Sequence, residues 1–150
     1  MIPTVITRGF LGYDETLPLV EFNLAKAVQE FKLAFDGEVW EKGFKVQLVY
    51  NSGNKSRETV MEMLAYYIGS LNPLFIIETV SLQWPTYLQA GHDGHIPVTI
   101  TGWMADYCDP ENYVDTFYSS QGTYSSQLGQ AYREWAAINV DEDILAARSK

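Results

Sequence analysis

Cysteine, basic residues and histidine are all scarce in this sequence, and each scarcity removes a class of function. Cys108 is the only cysteine among 150 residues, so no internal disulfide can form. Ten basic residues stand against nineteen acidic ones, and the formal net charge of −9 argues against nucleic acid as a partner, because phosphate binding needs clustered lysine and arginine. His92 and His95 flank Asp93 without a third ligand at recognisable spacing. We therefore predict no metal site and no cofactor.

Long apolar runs and phosphate-binding glycines are also lacking. No apolar run reaches the roughly 18 residues of a membrane span, so none is predicted in this chain. Met1 leads into the segment 2–4 without the basic start and long apolar stretch of a secretory signal. A phosphate loop needs one glycine directly before Lys55 and another five residues earlier, but Asn54 and Val49 occupy those positions. The sequence thus excludes this nucleotide-binding motif.

The sequence is rich in apolar residues that follow helix and strand periods in alternation. A hydrophobic share of 47% in a chain of this length is enough for a real core. In order, the predicted elements are helix 24–35, strand 44–50, helix 56–71, strand 74–82, helix 85–91, strand 98–103 and helix 110–118, with one or two more helices around 128–135 and 141–147. This alternation predicts an α/β fold, with a mainly parallel sheet and helices on both faces.

Capping residues predict where several of these helices begin and end. Asn23 is placed to cap the first helix and Gly37 to end it, and Ser56 is placed to cap the next. Asp109 before Pro110 predicts a third start, with the proline at the first helical position. The stripe of the first helix is Leu24, Val28, Phe31 and Phe35.

We predict a single α/β domain over residues 1–150, in which residues 1–22 form an irregular lead-in rich in proline and glycine. No linker or internal repeat divides the chain. The last helices have no return strand to follow them. The expected fold is therefore that of a piece of a larger protein.

The loops that follow the strands are the first places to look for a ligand site, because open α/β sheets bind ligands outside the carboxyl ends of their strands. The loop Gly102–Pro110 carries the densest set of candidates. Trp103 and Tyr107 could form an apolar wall, and Asp106 could accept charge-assisted hydrogen bonds from an ammonium group. Alternatively, the aromatic rings fill the core and Asp106 satisfies backbone N–H groups in the turn.

The segment Gly102–Tyr113, GWMADYCDPENY, resembles a GW-x-ADY-x-DP-x-N-aromatic segment. That segment is typical of the peptide and nickel family, family 5, of extracellular solute-binding proteins, which are the receptors of ABC importers. Further stretches are similar to the family in order and spacing, so the resemblance spans roughly residues 20–147. These stretches are 40–53, 57–58, 84–88, 117–120 and 139–141.

This resemblance implies a lobe of the type II periplasmic-binding-protein fold, here part of the second, C-terminal lobe of a two-lobe receptor that closes on its ligand. It implies a peptide or another small solute as ligand, a membrane permease as partner, and a place at the extracellular face of the membrane or in the periplasm. Asp106 would pair with the α-ammonium group of a bound peptide, and Trp103 and Tyr107 would line the cleft. In oligosaccharide-binding relatives, Trp103 or Trp84 could stack on a sugar ring.

Two other classes of function stay open. A small hydrolase-like enzyme could use Asp106 with Asp109, or Cys108 with a histidine. The sequence has no nucleophile elbow and no matched acid pair, which favours a binding protein without catalytic residues. A free-standing interaction domain could use exposed aromatic residues as partner surface, namely Tyr124, Tyr132 and Trp135.

Overall fold

The computed structural model describes residues 6–148, and the chain divides into two compact units. We call residues 21–101 the sheet unit, and residues 1–20 together with 102–150 the helical unit. Each is described by itself. That residues 1–150 form one domain within a larger lobe stays a prediction.

The sheet unit contains a three-stranded parallel sheet in the order β2-β1-β3. The strands are β1 (Phe44–Asn51), β2 (Phe75–Leu82) and β3 (Val98–Thr99). Strand β1 pairs with β2 along its whole length, but with β3 only through Leu48 and Val49. These last two residues are buried, because this is where β1 has a neighbour on both sides. The prediction of an α/β fold with a parallel sheet is confirmed.

The third strand is much shorter than predicted. It ends at Thr99, so the prediction that it continues to Trp103 is wrong. The Thr99 hydroxyl donates to the Val49 carbonyl oxygen over 2.9 Å. This side-chain bond links β3 to β1 at the last pair of the ladder, and the chain leaves the sheet after it.

Four helices belong to the sheet unit: α1 (Leu24–Leu33), α2 (Glu38–Lys42), α3 (Lys55–Leu71) and α4 (Trp84–His92). Helix α3 packs on β1 and β2, and α4 contacts β1. The Asn23 side chain caps α1 by accepting from the Lys26 backbone N–H, as predicted. Helix α3 is capped by Asn54, which accepts from the Arg57 N–H. The prediction that Ser56 caps it is wrong, because Ser56 already lies in the first helical turn.

Helix α1 ends earlier than its apolar stripe predicts. A 3-10 turn, Ala34–Gly37, follows it, and Phe35 and Asp36 have left-handed backbones with φ of 50° and 55°. Phe35 is therefore turned out of the stripe and is 81% exposed. The short helix α2 after this turn was not predicted.

Aromatic rings form the core at the amino ends of β1 and β2. The Phe75 ring is 5% exposed, and its centroid lies 4.6 Å from that of Phe44, 5.0 Å from Phe31 and 5.8 Å from Trp40. The Asn72 amide donates to the Trp40 carbonyl oxygen over 2.8 Å. Large apolar area is thus buried at this end of the sheet, and the exposed Trp84 lies beyond the opposite end of β2.

The helical unit contains α5 (Glu111–Tyr118), a 3-10 turn (Ser125–Leu128), α6 (Gln130–Asn139) and α7 (Asp141–Arg148). Helix α7 packs on both α5 and α6. The Asp109 carboxylate accepts from the Glu111 N–H over 2.8 Å, but Pro110 and not Asp109 occupies the N-cap position. The helix begins after Pro110 rather than at it. Residues 6–20, the described lead-in of this unit, form turns without a helix or strand.

None of the helices within residues 6–148 is both long enough and apolar enough to cross a membrane.

Candidate ligand-binding site

The loop over residues 102–110 is held by one buried side chain, that of Asn112 in the first turn of α5. Asn112 is 6% exposed, and its Oδ1 accepts two hydrogen bonds. One comes from Trp103 Nε1 over 2.7 Å and the other from the Asp106 backbone N–H over 3.2 Å. The loop therefore has a defined shape, with Trp103 and Asp106 tied to the same oxygen atom.

The Trp103 ring is half-buried against two other aromatic rings. It meets the rings of Phe117 and Tyr124 edge-to-face, at centroid distances of 6.0 Å and 5.8 Å. Phe117 and Tyr124 stack on each other at 4.8 Å. Edge-to-face pairs of this kind stabilise a ring orientation by about 0.5–1.5 kcal/mol each beyond the area they bury. Trp103 thus belongs partly to the core of the helical unit and leaves part of its ring exposed in a defined orientation.

Asp106 and Tyr107 both lie exposed on this loop. Within the described part of the helical unit, no side chain or backbone group donates to the Asp106 carboxylate, whose residue is anchored through its own N–H. In this turn the Asp109 carboxylate, rather than that of Asp106, accepts a hydrogen bond from a backbone N–H. The Asp106 carboxylate is therefore free to accept hydrogen bonds from a cationic ligand.

Trp84, the fourth predicted ligand residue, belongs to the sheet unit. It begins α4 just after β2, and its ring stacks on Tyr87 with a centroid distance of 5.5 Å and an interplanar angle of 17°. Tyr87 is buried, its hydroxyl lies 2.7 Å from Thr99 Oγ1, and it donates to the Ile100 carbonyl oxygen over 3.2 Å. Trp84, at 46% exposure, is thus supported by a side chain fixed to β3.

A polar network in the helical unit was missed by the sequence analysis. Asp141 Oδ2 accepts from the Ser120 hydroxyl over 2.6 Å, and Asp141 Oδ1 accepts from the Ser120 N–H over 2.9 Å. The Ser120 carbonyl oxygen accepts from Arg133 Nε and from the Ser125 hydroxyl. Ser120 and Asp141 are far apart in sequence, so no local pattern reveals the pair. One signal was present, because both lie in stretches of the family resemblance.

A half-open cavity of about 590 Å³ lies in the helical unit. Its lining is mostly apolar and includes Leu11, Val114 and Ile144. Two of the charged residues that line it form an ion pair, in which Arg148 Nη2 lies 2.6 Å from Glu111 Oε1. None of the four predicted ligand residues lines this cavity.

No group of three or more histidine, cysteine or acidic residues among those described could hold a metal ion. Cys108 is exposed, and His92 Nδ1 lies 3.4 Å from Asp93 Oδ1 at the end of α4.

The family model for bacterial extracellular solute-binding proteins, family 5 Middle, matches residues 2–125. The chain belongs to this family. The matched range contains the whole loop that carries Trp103 and Asp106, so the resemblance drawn from GWMADYCDPENY is confirmed. Family 5 is made of solute-binding proteins.

Two curated relatives show the extent of the likeness. This family 5 chain is 26% identical to the di/tripeptide-binding protein 3 of Pseudomonas aeruginosa (strain UCBPP-PA14) over 137 residues, which are 91% of this chain and 25% of the relative. It is 27% identical to the periplasmic oligopeptide-binding protein OppA of Escherichia coli (strain K12) over 88 residues, 59% of this chain and 16% of the relative. The chain thus spans a quarter or less of these relatives.

Solved structures show the same fold. The periplasmic binding protein DppA from Helicobacter pylori, in complex with the peptide STSA, superposes with a TM-score of 0.65 at 24% identity, over 77% of this chain and 21% of that one. OppA of Burkholderia pseudomallei superposes with a TM-score of 0.68 at 17% identity, over 84% of this chain and 25% of that one. The predicted periplasmic-binding-protein-like lobe is therefore confirmed as the fold class of this family 5 chain.

The Ser120–Asp141 pair gives the family 5 chain a pH-dependent contribution to stability. Hydrogen bonds from Ser120 lower the pKa of Asp141 below its ordinary value. A carboxyl with a depressed folded pKa stabilises the fold above its unfolded pKa, and this contribution is lost as the pH falls through the folded pKa. Asp141→Asn is therefore expected to lower the free energy of unfolding at pH 7. The further loss of stability on acidification below about pH 4 should then be smaller than in the wild type.

Urea midpoints measured between pH 7 and pH 3 check this expectation. Asp143→Asn is the control, because it removes the same charge from the same first turn of α7 without touching Ser120. It should keep the acid dependence of the wild type. An Asp141→Asn variant with the wild-type dependence would contradict the role given to this pair.

Proposed function

We propose that this chain is part of the solute-binding component of an ABC importer and that it binds peptides through the loop over residues 102–110. The observation that carries the proposal is the exposed Asp106 carboxylate, to which no described group of its unit donates, on a residue whose backbone N–H shares the Asn112 acceptor with the Trp103 indole. Family membership and the names of the relatives support it. The proposal includes action at the extracellular face of the membrane or in the periplasm, a membrane permease as partner, and no catalysis.

In this proposal the Asp106 carboxylate accepts hydrogen bonds from the peptide α-ammonium group. Charge-assisted hydrogen bonds of this kind are about twice as strong as neutral ones. Trp103 and Tyr107 offer apolar surface to the first side chains of the peptide. Contact with such a surface does not require a particular peptide sequence. Because Asp106 and Tyr107 are exposed, the 150 residues alone offer an open half-site, and we expect them to bind a short peptide with a Kd of about 1 mM or weaker.

Trp84, in the sheet unit, is a separate candidate surface for a ligand. Its exposed ring, fixed on Tyr87, suits an apolar peptide side chain, and it equally suits a sugar ring. The calorimetric titration that tests the proposal, described below, therefore includes an oligosaccharide as a second ligand. Binding of maltotriose with no response to a dipeptide would overturn the peptide proposal in favour of an oligosaccharide.

Asp106→Asn is expected to weaken binding of the dipeptide Ala-Ala by about 10-fold to 100-fold, because the variant keeps the size of the side chain and loses the charge that pairs with the ammonium. Calorimetric titration of the full-length protein measures this loss. N-acetyl-Ala-Ala, which has no ammonium, should bind both proteins equally weakly.

Asp143→Asn is again the matched control, since it makes the same change of charge on exposed α7. It should bind Ala-Ala like the wild type. Equal affinities of wild type and Asp106→Asn for Ala-Ala would show that Asp106 is not the ammonium anchor. Nanomolar binding of Ala-Ala by residues 1–150 alone would show that the site is complete within them.

A further inference from the structure

The Asn112 side chain stands out because one oxygen atom organises a whole loop. Both groups that face Asn112 Oδ1, the Trp103 indole N–H and the Asp106 backbone N–H, are hydrogen-bond donors. Only an acceptor can satisfy them, and a carbonyl oxygen has two lone pairs, both of which are used here. The amide nitrogen could not take this place. Position 112 therefore requires a side chain that places an acceptor oxygen at a fixed distance from the α5 backbone.

The oxygen is itself rigidly placed. The Asn112 backbone N–H donates to the Asp109 carbonyl oxygen over 3.1 Å, and the residue is buried in the first turn of α5. On the other side, the Trp103 ring packs edge-on against Phe117 of the same helix. Contacts with α5 thus fix the positions of both Trp103 and the Asp106 backbone.

We propose that Asn112 is a positioning residue that fixes the backbone of Asp106, from which the carboxylate projects, relative to the Trp103 ring, and so selects ligands with an ammonium group next to an apolar group. This inference rests on the proposed function. No described group of the unit donates to the Asp106 carboxylate, so the N–H bond to Asn112 is the hydrogen bond that holds the backbone of Asp106. Holding it before the ligand arrives removes the cost of ordering the loop on binding.

The side chains of leucine, aspartate and asparagine have the same branched shape, which makes a matched test possible. Asn112→Asp keeps an acceptor oxygen where the two donors need it, whereas Asn112→Leu fills the space and removes the acceptor. The quantity measured is the ratio of the Kd values of N-acetyl-Ala-Ala and Ala-Ala, determined by calorimetry on the full-length protein. A merely structural role would change both Kd values and leave this ratio unchanged.

We expect a ratio of at least about 10 in the wild type and in Asn112→Asp, and a ratio below about 3 in Asn112→Leu. The proton on Trp103 Nε1 gives a second readout by NMR, independent of any ligand. Its resonance should move upfield in Asn112→Leu, and the Asp106 amide should exchange faster with solvent, because both lose their acceptor. In Asn112→Asp both signals should stay close to the wild type.

A wild-type ratio retained in Asn112→Leu would overturn the positioning role and leave the proposed function standing. A wild-type ratio near 1 would overturn the proposed function, and the positioning role with it. If Asn112→Leu does not fold, Asn112→Ser replaces it, because the serine hydroxyl is too short to reach both donors. The same ratio then decides.

Discussion

Gly43→Ala is expected to destabilise the sheet unit by more than about 3 kcal/mol, the range of the most damaging substitutions. Gly43 precedes β1 with a left-handed φ of 70°, which an alanine adopts only with strain. An added Cβ would also overlap the Leu74 carbonyl oxygen and lie 2.5 Å from the Leu74 Cβ. Leu74 directly precedes β2, so the start of one strand can move away only by disturbing the start of the other.

Urea denaturation followed by circular dichroism measures this loss. Gly69→Ala is the control, because Gly69 lies inside α3 and its added Cβ meets nothing closer than 3.9 Å. Alanine is a better helix former than glycine, so this variant should equal or exceed the wild type in stability. Similar urea midpoints for the two variants would contradict the close approach of Gly43 and Leu74.

Gly122→Ala is expected to cost a comparable amount in the helical unit, about 3 kcal/mol or more. An added Cβ would overlap the Asp115 carbonyl oxygen and lie 2.8 Å from the Thr116 carbonyl oxygen. Both oxygens belong to the backbone of α5, which cannot move aside as a flexible side chain would. The Gly122 carbonyl oxygen also accepts from the Ser125 hydroxyl, so a shift of residue 122 would disturb the polar network around Ser120.

Gly129→Ala separates crowding from backbone strain in the same unit. Gly129 has a φ of 85°, but an added Cβ would meet nothing within 4 Å. Only backbone strain remains: with ψ of 171° this conformation is one that essentially only glycine adopts, and it costs another residue about 1–3 kcal/mol. Thermal unfolding should therefore rank Gly122→Ala below Gly129→Ala. The reverse order would mean that the loop after α5 has room that the structure does not show.

The elements that the sequence predicted well are those whose signals are local. The alternation in β1 and the stripe in α3 each lie within one element, and the Asn23 cap acts over three residues. Such patterns depend on backbone geometry alone. The predicted start of α3 was wrong because asparagine and serine can both cap a helix, so residue type did not distinguish Asn54 from Ser56. The backbone conformation of the turn before the helix distinguishes them.

Features that depend on contacts across the chain could not be predicted. Strand β3 pairs with β1 only through Val98 and Thr99, about 50 residues further along the chain, and the alternation of residues 98–103 does not reveal where that pairing stops. At the candidate site, the sequence indicated Trp103 and Asp106 but passed over Asn112. A buried asparagine in a first helical turn looks like an ordinary helix-start residue until its two donors are seen.

The short β3 bears on the order in which we expect the sheet to assemble and open. Pairing of β1 with β2 joins residues about 30 apart along the chain, while pairing with β3 joins residues about 50 apart for only two positions. Because the longer loop closure is offset by fewer contacts, we expect β1 and β2 to pair first and β3 to dock afterwards. For the same reason, we expect the amides of β3 to exchange with solvent before those of β1.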